Sequence, residues 1–356
     1  MGRVTLRTVA DHVGVSRMTV SNAFSRPDQL SAALRDRVLA AAEELGYVGP
    51  DPAARALARG ATGSVGVLLT DSLAFAFTDE VATGFLGAIA AELAPTGLAL
   101  TLLSSSAAGE VVPARDVPMD GAVVYSCDRD SAAVDWLTRR GLPLVYVDQT
   151  PVPGVASVNV DDRAGARAAA QHLVDLGHRR VAILTGEPAG PHGDIVPADT
   201  PSEHHVSRQR MKGWLDVLWA AGVDLQVVRE PLAPEDAAYD AARTLLARDD
   251  PPTAFLCFSD VIAHWVVRAA EDCGLAIPAD LSVVGFDDSP LAGRMRPALT
   301  TVRQDVAGKG RAAAAALVEA IESARSGDAA PVRQVLLPTE LVVRESTGPA
   351  RTGPVS

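Results

Sequence analysis

At 356 residues, with 48% hydrophobic and 21% charged residues, the chain has globular composition and enough material for two or three folded units. No apolar run reaches the ~18 residues that a membrane span requires, which excludes an integral membrane protein of the helical kind. The net charge of −12 argues against a DNA binder until it is divided along the chain.

Residues 1–60 carry eight arginines against six acids, a net of +2, which leaves −14 on the remainder. A mildly basic head on an acidic body confines phosphate attraction to one end. Polar Met1–Leu6, with no apolar segment behind it, reads as no secretion signal. Cys127, Cys257 and Cys273 are too widely spaced for a disulfide framework or zinc site and read as buried free thiols. The expected compartment is the cytoplasm, at the nucleoid, with no cofactor and no metal.

In the head, Thr5 can cap a helix whose Leu6, Val9, Ala10 and Val13 fall on one face, and Gly14 suits its left-handed end. Ser16 then caps a second helix, Arg17 to about Phe24. A third runs from Ser31 to Leu45, with Gly46 past its end. Three short helices with a tight turn between the first two read as a helix-turn-helix. Arg17, Met18, Ser21 and Asn22 face outward on the second helix, with side chains suited to guanine, thymine-methyl and adenine edges. Hydroxyls of Thr5, Ser16, Thr19, Ser21 and Ser31 suit phosphates. The same polar faces also fit a small three-helix interaction module. Beyond Pro50 and Pro52 comes a short helix, Ala53 to Ala58, carrying Ala54, Arg55 and Leu57; by composition it is a linker helix with Leu57 packed on the domain beyond it.

The stretch TLRTVADHVGVSRMTVSNAFSRPDQLSAALRDRVLAAAEELGY resembles the DNA-binding domain of the lactose/galactose-repressor family. Its marks are T-x-x-x-V-A-x-x-x-G-V-S, the T-V-S continuation and R-x-R-V-x-x-A-x-x-L-G-Y. Asn22 departs from the arginine of many members, which alters the expected base preference. The resemblance implies that 49–63 is a hinge whose Leu57 wedges into a central minor-groove step, with Ala54 and Arg55 beside it. So short a helix is expected to form only on DNA or against its twin.

From Ser64 onward, short apolar runs alternate with helical patterns at Glu80–Leu93, Ala132–Arg140, Ala164–Leu176, Gln209–Ala221, Ala237–Ala247 and Val261–Cys273. That rhythm predicts parallel sheets with helices on both faces, in two lobes with a ligand outside the strands' carboxyl ends. VNVDDRAGARAAAQHLVDLGHRRVAIL, SDVIA, LSVVGFDD and LTTVRQD resemble the same family's sensor. They imply a periplasmic-binding-protein-like (type I) α/β domain over 64–347, behind the all-α domain of 1–48. Lobe one is expected to comprise about 64–160 and 290–320, and lobe two about 162–289 and 321–347. Residues 187–206 read as a long loop in which His192, His204 and His205 are solvated, and 348–356 as a flexible tail.

Effector candidates sit at strand ends: Ser126, Asp148, Arg210, Asp260 and Asp287, with Thr70 and Phe75 after the first strand and Phe77 beside them. Carboxylates and an arginine suit paired sugar hydroxyls. The resemblance matches Asp148, Arg210 and Asp287 to ligand contacts, while Asp260 and Asp288 also read as helix N-caps. The expected partners are operator double-stranded DNA, a small effector (a sugar before a nucleoside or nucleobase) and a second copy, as a homodimer with a tetramer as the next assembly. Paired acids would also suit an enzyme, but no nucleophile elbow, phosphate loop or metal ligand set accompanies them. An exported sugar-binding protein is opposed by the head.

Overall fold

The computed structural model describes residues 4–351 apart from 50, 70–72, 106–111, 128–130, 188–192, 196–201, 203, 232–235 and 329–331. It separates into two compact units, Met1–Gly63 and Ser64–Ser356.

The first unit is all helical: α1 (Leu6–Val13), α2 (Arg17–Ser25), α3 (Ala32–Glu44) and α4 (Pro52–Arg59). Thr5, Ser16 and Ser31 cap the first three through their hydroxyls, and Gly14 ends α1 at φ 75°. Val9, Ala10, Val20, Ala23, Val38 and Ala42 form the core that ties α1–α3 together, with Phe24 set edge-on against Tyr47. Small Ala10, Ala23 and Ala42 let three short helices meet closely enough to exclude water. α4 is already helical in the single chain, against the expectation that it needs DNA or a twin.

The second unit holds two large sheets and a small two-stranded antiparallel one. In chain order, lobe one contributes β1 (Ser64–Leu69), α5 (Phe75–Thr78), α6 (Glu80–Leu93), β2 (Ala99–Ser104), α7 (Pro113–Asp116), β3 (Ala122–Tyr125), α8 (Ala132–Arg139), β4 (Leu144–Val147) and β5 (Ala156–Val160). Lobe two continues with α9 (Asp162–Asp175), β6 (Arg180–Glu187), β7 (Gly193–Ile195), α10 (His205–Leu218), β8 (Asp224–Pro231), α11 (Ala237–Leu246), β9 (Ala254–Cys257), α12 (Asp260–Asp272), β10 (Ser282–Val284), α13 (Pro290–Arg294) and β11 (Thr301–Gln304). The chain then returns through α14 (Val306–Ser326) and β12 (Gln334–Leu337) before ending on β13 (Thr339–Val342).

Lobe one is a six-stranded parallel sheet in the order β12-β5-β4-β3-β1-β2, and lobe two a five-stranded sheet in the order β10-β9-β6-β8-β7. Only β7 runs antiparallel among the strands of these two sheets. Both sheets are buried on two faces, which is why β3, β4 and β9, and all of β1 after Ser64, read as continuous apolar runs. In lobe two, α9 and α10 lie close together because Gly213 leaves room: a Cβ there would collide with the Arg163 carbonyl.

The lobe boundaries differ from the expected ones. β12 pairs parallel with β5, and Ala313, Ala314, Leu317 and Ile321 of α14 join the core of lobe one, so 306–337 belongs there as one piece. Residues 290–304 belong to lobe two, because Ala292, Met295, Leu299 and Val302 are buried in its cores. A cut at 320 would bisect a single helix. The tail also differs. Gly348 accepts from His178 and donates to Ser282, Ala350 donates to the Leu176 carbonyl, and Arg351 pairs with Asp280. Residues 348–351 are therefore fastened to lobe two, while 352–356 lie outside the described residues.

Candidate DNA-reading head and effector cleft

On the head, Arg17 and Met18 are exposed at the start of α2, Met18 by 69%, with Thr19, Ser21 and Asn22 half-buried behind them. The Asn22 amide donates to Gln29, so its reach toward a base edge would compete with that bond. Thr5, Ser16 and Ser31 are exposed N-caps; each stands at a helix N-terminus, where unpaired backbone N–H groups and the helix dipole favour a phosphate. On α4, Leu57 is 86% exposed and Ala54 is exposed, with Arg55 half-buried. Leu57 takes no part in the core of its own unit.

The body gathers its polar chemistry at the carboxyl ends of the strands. The four non-glycine residues with positive φ among the described residues are Ser126 and Asp148, immediately beyond β3 and β4, and Asp287 and Asp288, three and four residues beyond β10. Asp287, at φ 116°, lies outside the left-handed helical region and carries strain of about 1–3 kcal/mol.

Arg210 is the hub of lobe two. It is buried in α10 and donates to Asp162 Oδ1 (2.9 Å), to Asp287 Oδ1 (3.3 Å) and to the Phe258 carbonyl. The guanidinium lies 3.6 Å from the Phe286 ring centroid and 4.6 Å from that of Phe258, a cation–π sandwich that fixes its plane. Burial pulls the Arg210 pKa down, but Asp162, Asp287 and Asp148 more than offset it and hold it raised. Burial raises Asp162 to about 6 and Asp287 to about 8, in each case against the charge of Arg210.

Lobe one answers with Asp148 at the end of β4. Its Oδ2 accepts from Lys309 Nζ at 2.5 Å, and Lys309 also donates to Gln304 Oε1 at 3.0 Å. Gln304 in turn donates to Asp287 Oδ1 at 2.7 Å. One buried chain of side chains thus runs from Asp148 through Lys309, Gln304, Asp287 and Arg210 to Asp162, from one lobe to the other. Asp148 Oδ1 is buried with no hydrogen-bond partner, an arrangement that native proteins rarely leave without a purpose.

The two histidines expected in a solvated loop are instead structural. His204 caps α10, and its Nε2 hydrogen-bonds with Ser126 Oγ at 2.8 Å, while His205 Nδ1 hydrogen-bonds with Thr150 Oγ1 at 3.2 Å. Arg208 donates to the same Thr150 oxygen. Burial lowers the pKa of His204 to about 4 and lowers that of His205. The long loop is itself interrupted by β7, and His192 lies outside the described residues.

Asp260 is a brace. Its two oxygens accept from Thr301 Oγ1 and the Ser289 amide, and the cap of α12 is Ser259. Asp288 is no cap either, since it pairs with Arg303 and Arg344. Thr70 lies outside the described residues. Phe75 opens α5, but its side chain is among those not described; Phe77 is 67% exposed. Cys127 and Cys257 are buried as expected, whereas Cys273 is exposed at the end of α12. Residues that the sequence did not single out are Lys309, Gln304, Asp162, Thr150, Phe258 and Phe286. For Lys309 a signal existed: a lysine set between two glycines at the head of an alanine-rich helical stretch, GKGRAAAAA.

A helix-turn-helix unit with an exposed reading helix, followed by a two-lobed α/β unit with strained acids at its strand ends, defines a DNA-binding regulator with a ligand-sensing body. The comparisons agree. Residues 5–49 match the model for bacterial regulatory proteins of the lacI family, and 170–347 that for the periplasmic binding protein-like domain. The transcriptional regulator Rv3575c of Mycobacterium tuberculosis is 38% identical over 359 residues, 98% of each chain. The lac repressor dimer bound to operator and an anti-inducer is similar at TM-score 0.78, 26% identity, covering 98% of this chain and 100% of that one. The CelR–cellobiose complex is similar at TM-score 0.69, 28% identity, covering 97% and 100%. The chain belongs to the lacI family of transcriptional regulators.

Proposed function

We propose that the chain is a cytoplasmic, nucleoid-associated repressor that binds a pseudo-palindromic operator as a homodimer and changes operator affinity when a sugar occupies the cleft between its lobes. Arg17, Met18 and Asn22 read base edges in the major groove. Thr5, Ser16, Thr19, Ser21 and Ser31 hold phosphates. Paired α4 helices place Leu57 in the minor groove, with Ala54 and Arg55 beside it. Asp148, Ser126, Arg210 and Asp287 face the effector. The single observation that carries the reading is the set of positive-φ residues at the strand ends of both lobes: such strain persists where a site needs it. The structure of the relative CelR with cellobiose supports a sugar.

Effector-dependent closure of the lobes would alter the spacing of the two hinges, a coupling typically of about 1–3 kcal/mol. The test is fluorescence anisotropy on DNA from upstream of the chain's own locus, with and without cellobiose, ribose and glucose. Operator binding that shifts with one sugar supports the reading; failure to bind any fragment at modest salt defeats it.

A further inference from the structure

Resting on the effector cleft just proposed, we propose that Lys309 is a specificity-determining residue and that the Asp148–Lys309 pair reads one hydroxyl of an uncharged polyol. Lys309 stands in the first turns of α14 and is 1% exposed, so its ammonium is committed to the polar centre of the body. Two of its three N–H groups go to Asp148 Oδ2 and Gln304 Oε1. The third has no acceptor among the described residues. Across the same ion pair, Asp148 Oδ1 is buried and accepts nothing.

An unused donor beside an unused acceptor matches a hydroxyl, which gives one hydrogen bond and takes another. A ketone or ether oxygen would satisfy Lys309 and leave Asp148 unpaired; an ammonium would do the reverse. The rings of Phe85 and Tyr125, stacked at 4.4 Å with centroids 6.0 and 5.6 Å from Nζ, hold the ammonium in place.

Charge sets the class of ligand. The acids gathered here are Asp79, Asp148, Asp162 and Asp287, and the two buried cations, Arg210 and Lys309, are already engaged by them. A phosphate or carboxylate on the ligand would meet these carboxylates, while Arg210 and Lys309 are already paired with them. An uncharged polyol adds no charge, and its hydroxyl completes the two open valences.

Calorimetry on the full chain tests this with cellobiose, D-ribose and D-glucose as uncharged probes, ribose 5-phosphate and glucose 6-phosphate as anions, and adenine as a nucleobase. At least one uncharged sugar is expected to bind, and its phosphate ester to bind about 10- to 100-fold more weakly. Lys309→Met should weaken that sugar about 10- to 100-fold. Among monodeoxy forms of the same sugar, the one that binds worst to the native chain should lose nothing further in Lys309→Met, a selectivity change that a merely structural lysine would not produce. Should Lys309→Met fail to fold, the double variant Asp148→Asn/Lys309→Met removes both charges and is measured against Asp148→Asn alone.

A folded Lys309→Met that binds within about threefold of the native chain overturns the assignment, as does tighter binding of a phosphate ester or no binding of any uncharged probe at about 10 mM. If only adenine or an ester binds and operator affinity still shifts, Lys309 is misassigned while the effector-controlled regulator stands. If an uncharged sugar binds through Lys309 and operator affinity does not move, the reverse holds.

Discussion

His204 Nε2 lies 2.8 Å from Ser126 Oγ, and this one hydrogen bond joins the helix that carries Arg210 to the end of the third strand of the opposite lobe. Burial, the largest cause, depresses the His204 pKa to about 4; Asp148 raises it, and Arg210, His205 and Arg208 lower it. An exposed histidine titrates near ~6.5. The closed body therefore binds fewer protons here than an open or unfolded one. The contact is uncompromised above ~6.5 and is penalised by about 1.4 kcal/mol per pH unit as pH falls from there toward about 4. Asp287, raised to about 8, acts in the opposite sense, since its proton is kept by the folded state. The difference between native and His204→Gln chains isolates the histidine: on going from pH 7.5 to 5.5 the denaturant midpoint of the variant should rise relative to that of the native chain. An equal pH response in both would remove His204 from the account.

Arg210→Ala should destabilise the body itself as well as its ligand response. It strands Asp162 and Asp287, both buried, and removing one partner of a buried pair costs about 3–5 kcal/mol. Urea unfolding measures this directly. A loss below ~1 kcal/mol would mean that water replaces the guanidinium and that the hub is more open than it stands here.

Leu57→Ala should reduce affinity for the specific operator by at least ~tenfold while leaving non-specific DNA nearly unchanged, because a wedge acts only where a base step is opened. Competition anisotropy with operator and scrambled duplexes reads both. Equal losses on the two would place Leu57 outside the groove.

Ending the chain at Thr347 should destabilise lobe two by about 1–3 kcal/mol, because the amide and carbonyl of Gly348, the amide of Ala350 and the Arg351–Asp280 pair are lost together. Thermal melts of the shortened and full chains decide it. An unchanged melt would show that these bonds merely replace water.

Local chemistry made the head legible: Thr5, Ser16 and Ser31 as caps and Gly14 as a stop are decided within four residues of themselves. The strand-end positions of Asp148 and Asp287 were equally visible, since each terminates an apolar run. What the sequence concealed depends on contacts across long separations. Lys309 meets Asp148 161 positions away, and His204 meets Ser126 across 78. No periodicity reports such pairs. The lobe boundary was misread for the same reason: β12 is a short strand of mixed exposure whose place is set by pairing with β5, not by its own pattern.

The return of 306–337 to the first sheet governs how the body can be born on the ribosome. β5 is buried along its whole length only once β12 lies beside it, and α6 is covered only once α14 has been made. The lobe begun first is therefore the one that must wait longest, holding an apolar face and an open strand edge while the whole of the second is synthesised. A ribosome stalled anywhere in the second lobe releases a chain with its head finished and its body unsealed.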